Sequence, residues 1–295
     1  MLRKFFCLMA LAAAVLFAQD APAGRGGGRG AGGRGGPPNL ATQQVKPGLY
    51  MITGAGANTE VRLTNDGLIV VDGKLPGDQN YNALMDQIKM ISPQPIKYLI
   101  VTHHHADHSG NNSKFLAAGV MVVANENFNK YLANYQQTPK PADANVTYAK
   151  DYVVRLAGVE VECHHFGNAH TGGDTVVYFP DLKVVVTSDE VTTGMTGPLA
   201  DYGGGGSFTD WPRTLDGMLR LDFDTAVPGN GNPITKADVQ AYRNKVDTFV
   251  TRAREAVRNG VAKDQLMANI KMDDLGWMPR APNVDPFYEE LSKAK

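Results

Sequence analysis

Residues 102–111 read Thr-His-His-His-Ala-Asp-His-Ser-Gly-Asn, so five of the six consecutive residues from His103 to His108 carry side chains that bind metal ions. Neutral imidazole nitrogens and carboxylate oxygens suit a borderline-soft divalent ion such as zinc, which takes them at about 2.0–2.2 Å. The six residues before His103, KYLIVT at 97–102, form a compact apolar run that reads as a strand. In an extended loop leaving a strand, side chains at i and i+2 point the same way, so His103 and His105 converge. His104 turns away from them. Asp107 and His108 fall on the other side of the turn, where they offer donors to a second ion. Ser109-Gly110-Asn111 then supplies a tight turn and a helix start.

Working outward, short β-rich runs at 49–53, 60–64 and 68–72 are separated by Gly- and Asn-containing turns, the spacing of an antiparallel meander. In residues 80–91, Tyr81, Leu84, Met85, Ile88 and Ile91 recur at helical spacing, and Pro93 and Pro95 stop that helix. Helices are expected at 111–118 and 126–135, with a strand at 120–124 between them. A second β-rich stretch covers 152–156, 159–163, 175–179 and 183–187. Helical patterns return at 210–221, 236–258 and 263–269, with a short strand reaching Val227. Two β-rich halves, each followed by helices, predict two sheets packed face to face with helices outside.

The chain has 295 residues, a net charge of -1 and 43% hydrophobic residues, the composition of a globular core. Five of the 29 basic residues, Arg3, Lys4, Arg25, Arg29 and Arg34, precede Asn39, against Asp20 alone of the 30 acids. The body is therefore acidic and offers no large positive field for nucleic acid. Arg3-Lys4 followed by an apolar run from Phe5 to Ala18 reads as a signal peptide, 1–18, too short to span a bilayer; the mature chain is expected in the periplasm or secreted, without stable membrane insertion. Residues 19–44, with GRGGGRGAGGRGGPP at 24–38, read as a flexible linker before a single domain at 45–295. Removal of the leader, with Cys7, leaves Cys163 as the one cysteine, so no internal disulfide forms.

The run H-x-H-x-D-H after a strand resembles the first motif of the metallo-β-lactamase-fold hydrolases. The resemblance continues over roughly residues 45–260. Gly167-Asn168-Ala169-His170-Thr171-Gly172-Gly173-Asp174 is similar to the second motif, whose histidine completes the first metal site. VVVTSDE at 184–190 puts Asp189 at the bridging or second-site position, and Pro228-Gly229-Asn230-Gly231 stands where the family has P-G-H-G. The resemblance implies an α/β (α+β) fold, a four-layer αβ/βα sandwich of two mixed sheets with helices on the outer faces. It implies metal ligands His103, His105 and His170 at a first site, and Asp107, His108 and Asp189 at a second. Asn230, a neutral amide in place of the histidine, is at most a weak second-site ligand. Asp72, in Val-Val-Asp-Gly, is expected to support the ligand loop.

One or two zinc ions are implied; iron and manganese accept the same donors. Zinc lowers the pKa of bound water from about 15.7 to near 7, and the resulting metal-bound hydroxide would attack a carbonyl or ester-like centre of a small-molecule substrate, with Asp107 holding that water and relaying its proton. The weakened second site implies that leaving groups of low pKa react best. The first motif looks like that of glyoxalase II, and Asp189 stands where β-lactamases of the family usually carry Cys or Ser. Two alternatives stay open: a β-lactamase, and a non-catalytic metal-binding module with a degenerate second site. Oligomeric state is open. Elsewhere, His164 and His165 alternate along a strand, Cys163 is a buried small hydrophobe, Gly203 to Gly206 form a mobile rim loop, and Trp211 packs at a helix start.

Overall fold

A computed structural model describes residues 38–195, 197–277 and 283–293. The expected leader and the Gly/Arg-rich stretch through residue 37 lie outside the described residues. Strand β1 (Ala41–Lys46) pairs antiparallel with β2 (Leu49–Thr53), so residues 41–44 belong to the sheet and the expected linker boundary at 44 is corrected. Its first four side chains are all exposed. An edge strand with both faces in water lacks the alternation that marks a half-buried one.

The meander continues through β3 (Thr59–Leu63) and β4 (Leu68–Val71), and helix α1 (Asp78–Ile91) leads into β5 (Ile96–Ile100). Leu84 and Ile88, one turn apart, are the buried face of α1. The short helices α2 (Ala106–Ser109) and α3 (Asn112–Ala117) precede β6 (Met121–Asn125), and α4 (Glu126–Leu132) precedes β7 (Val146–Tyr148). In this first sheet β1 to β7 lie in sequence order; β1 to β4 are antiparallel, and β4 to β7 parallel because each is joined by a helical crossover.

The second sheet is built from β8 (Asp151–Leu156), β9 (Val159–His164), β10 (Val176–Phe179) and β11 (Val184–Ser188). After α5 (Trp211–Leu219), β12 (Thr225–Pro228) adds parallel to β11, and β13 (Ile234–Thr235) adds antiparallel to β12. Helix α6 (Lys236–Arg258) opens with a capping box between Thr235 and Asp238 and buries Val239, Tyr242, Val246, Phe249 and Val250 along one face. Helices α7 (Leu266–Asn269) and α8 (Val284–Lys293) follow. α8 escapes the sequence reading because it is short and only Phe287 and Leu291 are buried.

Three apolar layers separate the elements. Met51, Ile69, Val71, Ile100 and Val123 of the first sheet meet Val161, Cys163, Val177, Phe179 and Val186 of the second. The other face of the first sheet packs Val70, Leu99 and Val122 on Leu84, Phe115 and Phe128 of the helices. The other face of the second packs Val176, Val185 and Ala226 on Trp211, Met218, Val246 and Phe287. This is the expected four-layer sandwich. Alternation along β10 shows its origin: Val177 and Phe179 point between the sheets, Val176 and Tyr178 toward the helices.

Several ionisable side chains sit inside this frame. Glu60 and Lys74 are both fully buried; the Lys74 ammonium donates to the Ile52 and Ala57 carbonyls at 2.6 and 2.5 Å, while neither Glu60 oxygen has a hydrogen-bond partner. Burial pushes Lys74 down to about 8, and burial together with Asp72 pushes Glu60 well above the carboxylate range. An acid whose folded pKa is raised binds more protons folded than unfolded, so its contribution falls as pH climbs from about 4.5 through the folded value, at about 1.4 kcal/mol per unit of displacement. Glu60→Gln, an isostere of the protonated acid, is expected to remove that component. Urea melts of the metal-free chain from pH 4.5 to 8 should show a shallower loss of stability in the variant; parallel curves would contradict the assignment.

Candidate metal centre

The centre lies at the ends of β4, β5, β9, β11 and β12. β5 runs into Thr102, whose backbone N–H and hydroxyl both donate to the Asp72 carboxylate at 2.8 Å. Ser188, closing β11, lies 2.7 Å from the same hydroxyl. Asp72 and Ser188 both hold left-handed backbone, φ 61° and 48°, a conformation costly for residues with a side chain. Each sits where a central strand turns into the centre. The ligand loop then folds back as α2, with the His108 and Ser109 N–H groups donating to the His105 carbonyl at 3.1 and 3.0 Å. Gly110 is required there, since a Cβ would lie 2.3 Å from the Pro76 nitrogen.

Three ring nitrogens converge: His105 Nδ1 lies 3.1 Å from His103 Nε2 and 2.9 Å from His170 Nε2. The outer nitrogens assign the tautomers. His170 Nδ1 donates to the Leu199 carbonyl at 2.6 Å and His105 Nε2 donates to the Asp201 carboxylate at 2.9 Å. The inner nitrogens of those two rings are therefore bare lone pairs facing each other, an arrangement that repels unless a cation lies between them. Burial, then the neighbouring histidines, holds His103 well below the usual imidazole range, and burial lowers His105, so both rest in the neutral, ligating form. The donor set fits a divalent ion.

Beside it, His108 Nδ1 donates to Asp72 at 2.7 Å, which leaves its Nε2 buried without a partner, 3.7 Å from both Asp107 and Asp189. Burial opposes charge on His108, but Asp107, Asp72 and Asp189 together raise its proton affinity well above the ordinary value. Burial likewise opposes ionisation of Asp189, and His108 and His170 overcome it and hold that carboxyl well below the usual range. A nitrogen and two carboxylates around one point fit a second cation. Gly229 permits this packing, since a Cβ there would lie 2.0 Å from Asp189 Oδ1. Asn230 is exposed, and its backbone carbonyl accepts from Thr193.

Other residues fall as follows. His104 turns from the triad toward Asp201, 3.6 Å away, with Tyr131 and Tyr135 beside its ring. His164 bonds Asp151 and Glu162, His165 bonds the Asp174 carbonyl, and Cys163 is buried with its thiol pushed up by burial. Trp211 is buried at the start of α5 and donates to the Glu190 carbonyl, the packing role expected. The tetraglycine, expected as a mobile rim loop, is packed against the centre. Gly204, Gly205 and Gly206 press on His104, Tyr131 and the His170 carbonyl so closely that a Cβ at any of them would lie 2.1–2.5 Å from those groups. One support lacks any signal in the ligand motifs: Asp201 lies 96 residues from the histidine it orients. Within the second motif, the Asp174 carboxylate closes the His170 loop by accepting from the Thr171 N–H and hydroxyl.

Comparisons with known proteins identify the family. The metallo-beta-lactamase superfamily model matches residues 54–230. The 2,4-dinitroanisole O-demethylase subunit alpha of Nocardioides sp. (strain JS1661) is 26% identical over 79% of this chain and 70% of its own. Metallo-beta-lactamase IND-1 of Chryseobacterium indologenes is 27% identical over 59% of this chain and 71% of its own. The structure of a metallo-beta-lactamase from Pontibacter korlensis superposes with a TM-score of 0.63 at 19% identity, covering 71% of this chain and 99% of that one, a likeness of fold. With a family model over more than half its length and a histidine–aspartate cluster in place, the chain belongs to the metallo-beta-lactamase superfamily, as a metal-dependent hydrolase.

Proposed function

We propose that the chain is an exported zinc-dependent hydrolase acting on a small molecule with a carbonyl or ester-like centre and a leaving group of low pKa. The observation that carries this is the meeting of the His103, His105 and His170 ring nitrogens beside a second set made by His108, Asp107 and Asp189. His103, His105 and His170 would hold the ion through three imidazoles, the ligand number of catalytic rather than closed structural zinc sites. Zinc bound there supplies Lewis acidity and brings water into the range where it ionises at neutral pH.

The protein's own groups do the rest. Asp107 leans over the centre from α2 with 37% of its side chain exposed, so its carboxylate reaches both solvent and the His108 side of the cluster. It can hold an attacking water by hydrogen bond and take up its proton. His108, fixed by Asp72, and Asp189, kept ionised, frame the opposite wall. Export is supported by the Arg3-Lys4 pair and the apolar run to Ala18; among the described residues no helix is long and apolar enough to cross a membrane. The low-pKa leaving group is supported by Asn230 in place of a histidine, and by a relative whose name gives 2,4-dinitroanisole, an activated aryl ether, as its substrate.

Three outcomes test the reading. The zinc-loaded chain should cleave an activated substrate within a panel of nitrocefin, nitrophenyl esters and thioesters, and Asp107→Asn should lose about 10²–10⁴-fold in kcat/KM while keeping its first zinc; inertness toward the whole panel would sink it. Asp72→Asn, which leaves one oxygen for the three donors the carboxylate accepts, should weaken metal binding about 10–100-fold in a chelator competition. By elemental analysis, Asn230→His should hold its second zinc equivalent more tightly than the parent chain. An unchanged stoichiometry and rate would show that residue 230 takes no part.

A further inference from the structure

Four consecutive glycines have the greatest backbone freedom a chain offers, yet loop 201–207 carries the carboxylate that orients His105. The loop is bonded on two sides. Toward the centre, Asp201 N donates to the His170 carbonyl at 2.8 Å, Ser207 N to the Ala169 carbonyl at 3.0 Å, and Gly172 N to the Gly204 carbonyl at 2.8 Å. Away from it, Glu290 in α8 gathers four donors: the Tyr202 hydroxyl at 2.6 Å, the Ser207 hydroxyl, and the Thr209 N–H and hydroxyl at 3.2 and 2.6 Å. Tyr202 and Ser207 bracket the tetraglycine, so one carboxylate grips both of its ends. Phe208, next along, packs on Phe287 of α8 at 4.8 Å and on Phe249 of α6 at 5.4 Å.

Phe287 and Leu291 already bury the apolar face of α8, so docking that helix does not call for a carboxylate. What the carboxylate adds is directional: several bonds to one group fix orientation as well as proximity. We propose that Glu290 is a positioning residue for the metal centre, fastening loop 201–207 so that Asp201 stays against His105 and the three histidines keep their ligating arrangement. The C-terminal helix thereby governs how tightly the ion is held although it supplies no ligand. This rests on the reading that His103, His105 and His170 bind the ion.

The test is the zinc dissociation constant of the purified chain, by competition with a chromogenic chelator at a temperature where circular dichroism shows every variant folded. Glu290→Leu should weaken zinc binding about 10-fold or more, in the range seen when outer partners of metal ligands are lost. Glu290→Gln keeps an acceptor for Ser207 and Thr209 and should recover most of that loss, and the exposed neighbour substitution Glu289→Gln should change nothing. Because Glu290 acts through Asp201, the double variant Glu290→Leu with Asp201→Asn should bind no more weakly than the worse single one. A merely structural role would lower the melting temperature of Glu290→Leu and leave the folded chain's zinc affinity at the parent value, and that result overturns the proposal. So would losses that add in the double variant. If the parent chain binds zinc no better than His105→Ala, the reading of the centre itself fails and the proposal falls with it; if only His105→Ala loses zinc, the centre stands and Glu290 does not position it.

Discussion

The Asp72 carboxylate is the constraint on which the centre depends. It accepts from the Thr102 N–H, the Thr102 hydroxyl and His108 Nδ1, and so ties the end of β4 to the end of β5 and to the helix that follows the ligand loop. Hydrogen bonds to a buried charged group contribute about 1.5–3 kcal/mol each, more than neutral ones. Here they also decide chemistry: with Nδ1 committed as a donor, His108 has only Nε2 left to hold a proton or a metal ion in the interior. The left-handed backbone at Asp72 and at Ser188, its counterpart at the end of β11, is tolerated because both ends are bound to Thr102.

The same device recurs around the first site. His105 and His170 each give their outer N–H to a fixed acceptor, the Asp201 carboxylate and the Leu199 carbonyl, which leaves the inner nitrogens free to ligate. Electrostatics then divide the centre. Burial and mutual proximity keep His103 and His105 neutral, whereas the carboxylates beside His108 make that side strongly attractive to positive charge. The neutral side is suited to hold an ion by coordination, and the acidic side by charge as well. Asp107 belongs to the acidic side yet reaches solvent, which suits it to exchange protons with water.

Much of this was legible in the sequence because it is local. The run from His103 to His108 follows an apolar strand, and the period-two and period-3.6 patterns on either side mark the strands and helices that carry it. The parts that escaped are those whose signal is spread along the chain. Polar β1 is exposed at the sheet edge and shows no alternation. Asp201 and Glu290 are single acidic residues in stretches without a metal-ligand spacing, and their roles arise only when loop 201–207 is folded against the second motif. A run of glycines serves freedom and close approach equally well, so the tetraglycine's packing is legible only from the positions of His104, Tyr131 and the His170 carbonyl.

The most direct test is an anomalous-scattering map at the zinc edge from crystals of the chain loaded with one equivalent of the metal. The account predicts a peak bounded by His103 Nε2, His105 Nδ1 and His170 Nε2, at distances near the 2.0–2.1 Å of zinc–imidazole bonds. Zinc found only elsewhere on the molecule, with those three rings unchanged and no density among them, would contradict it.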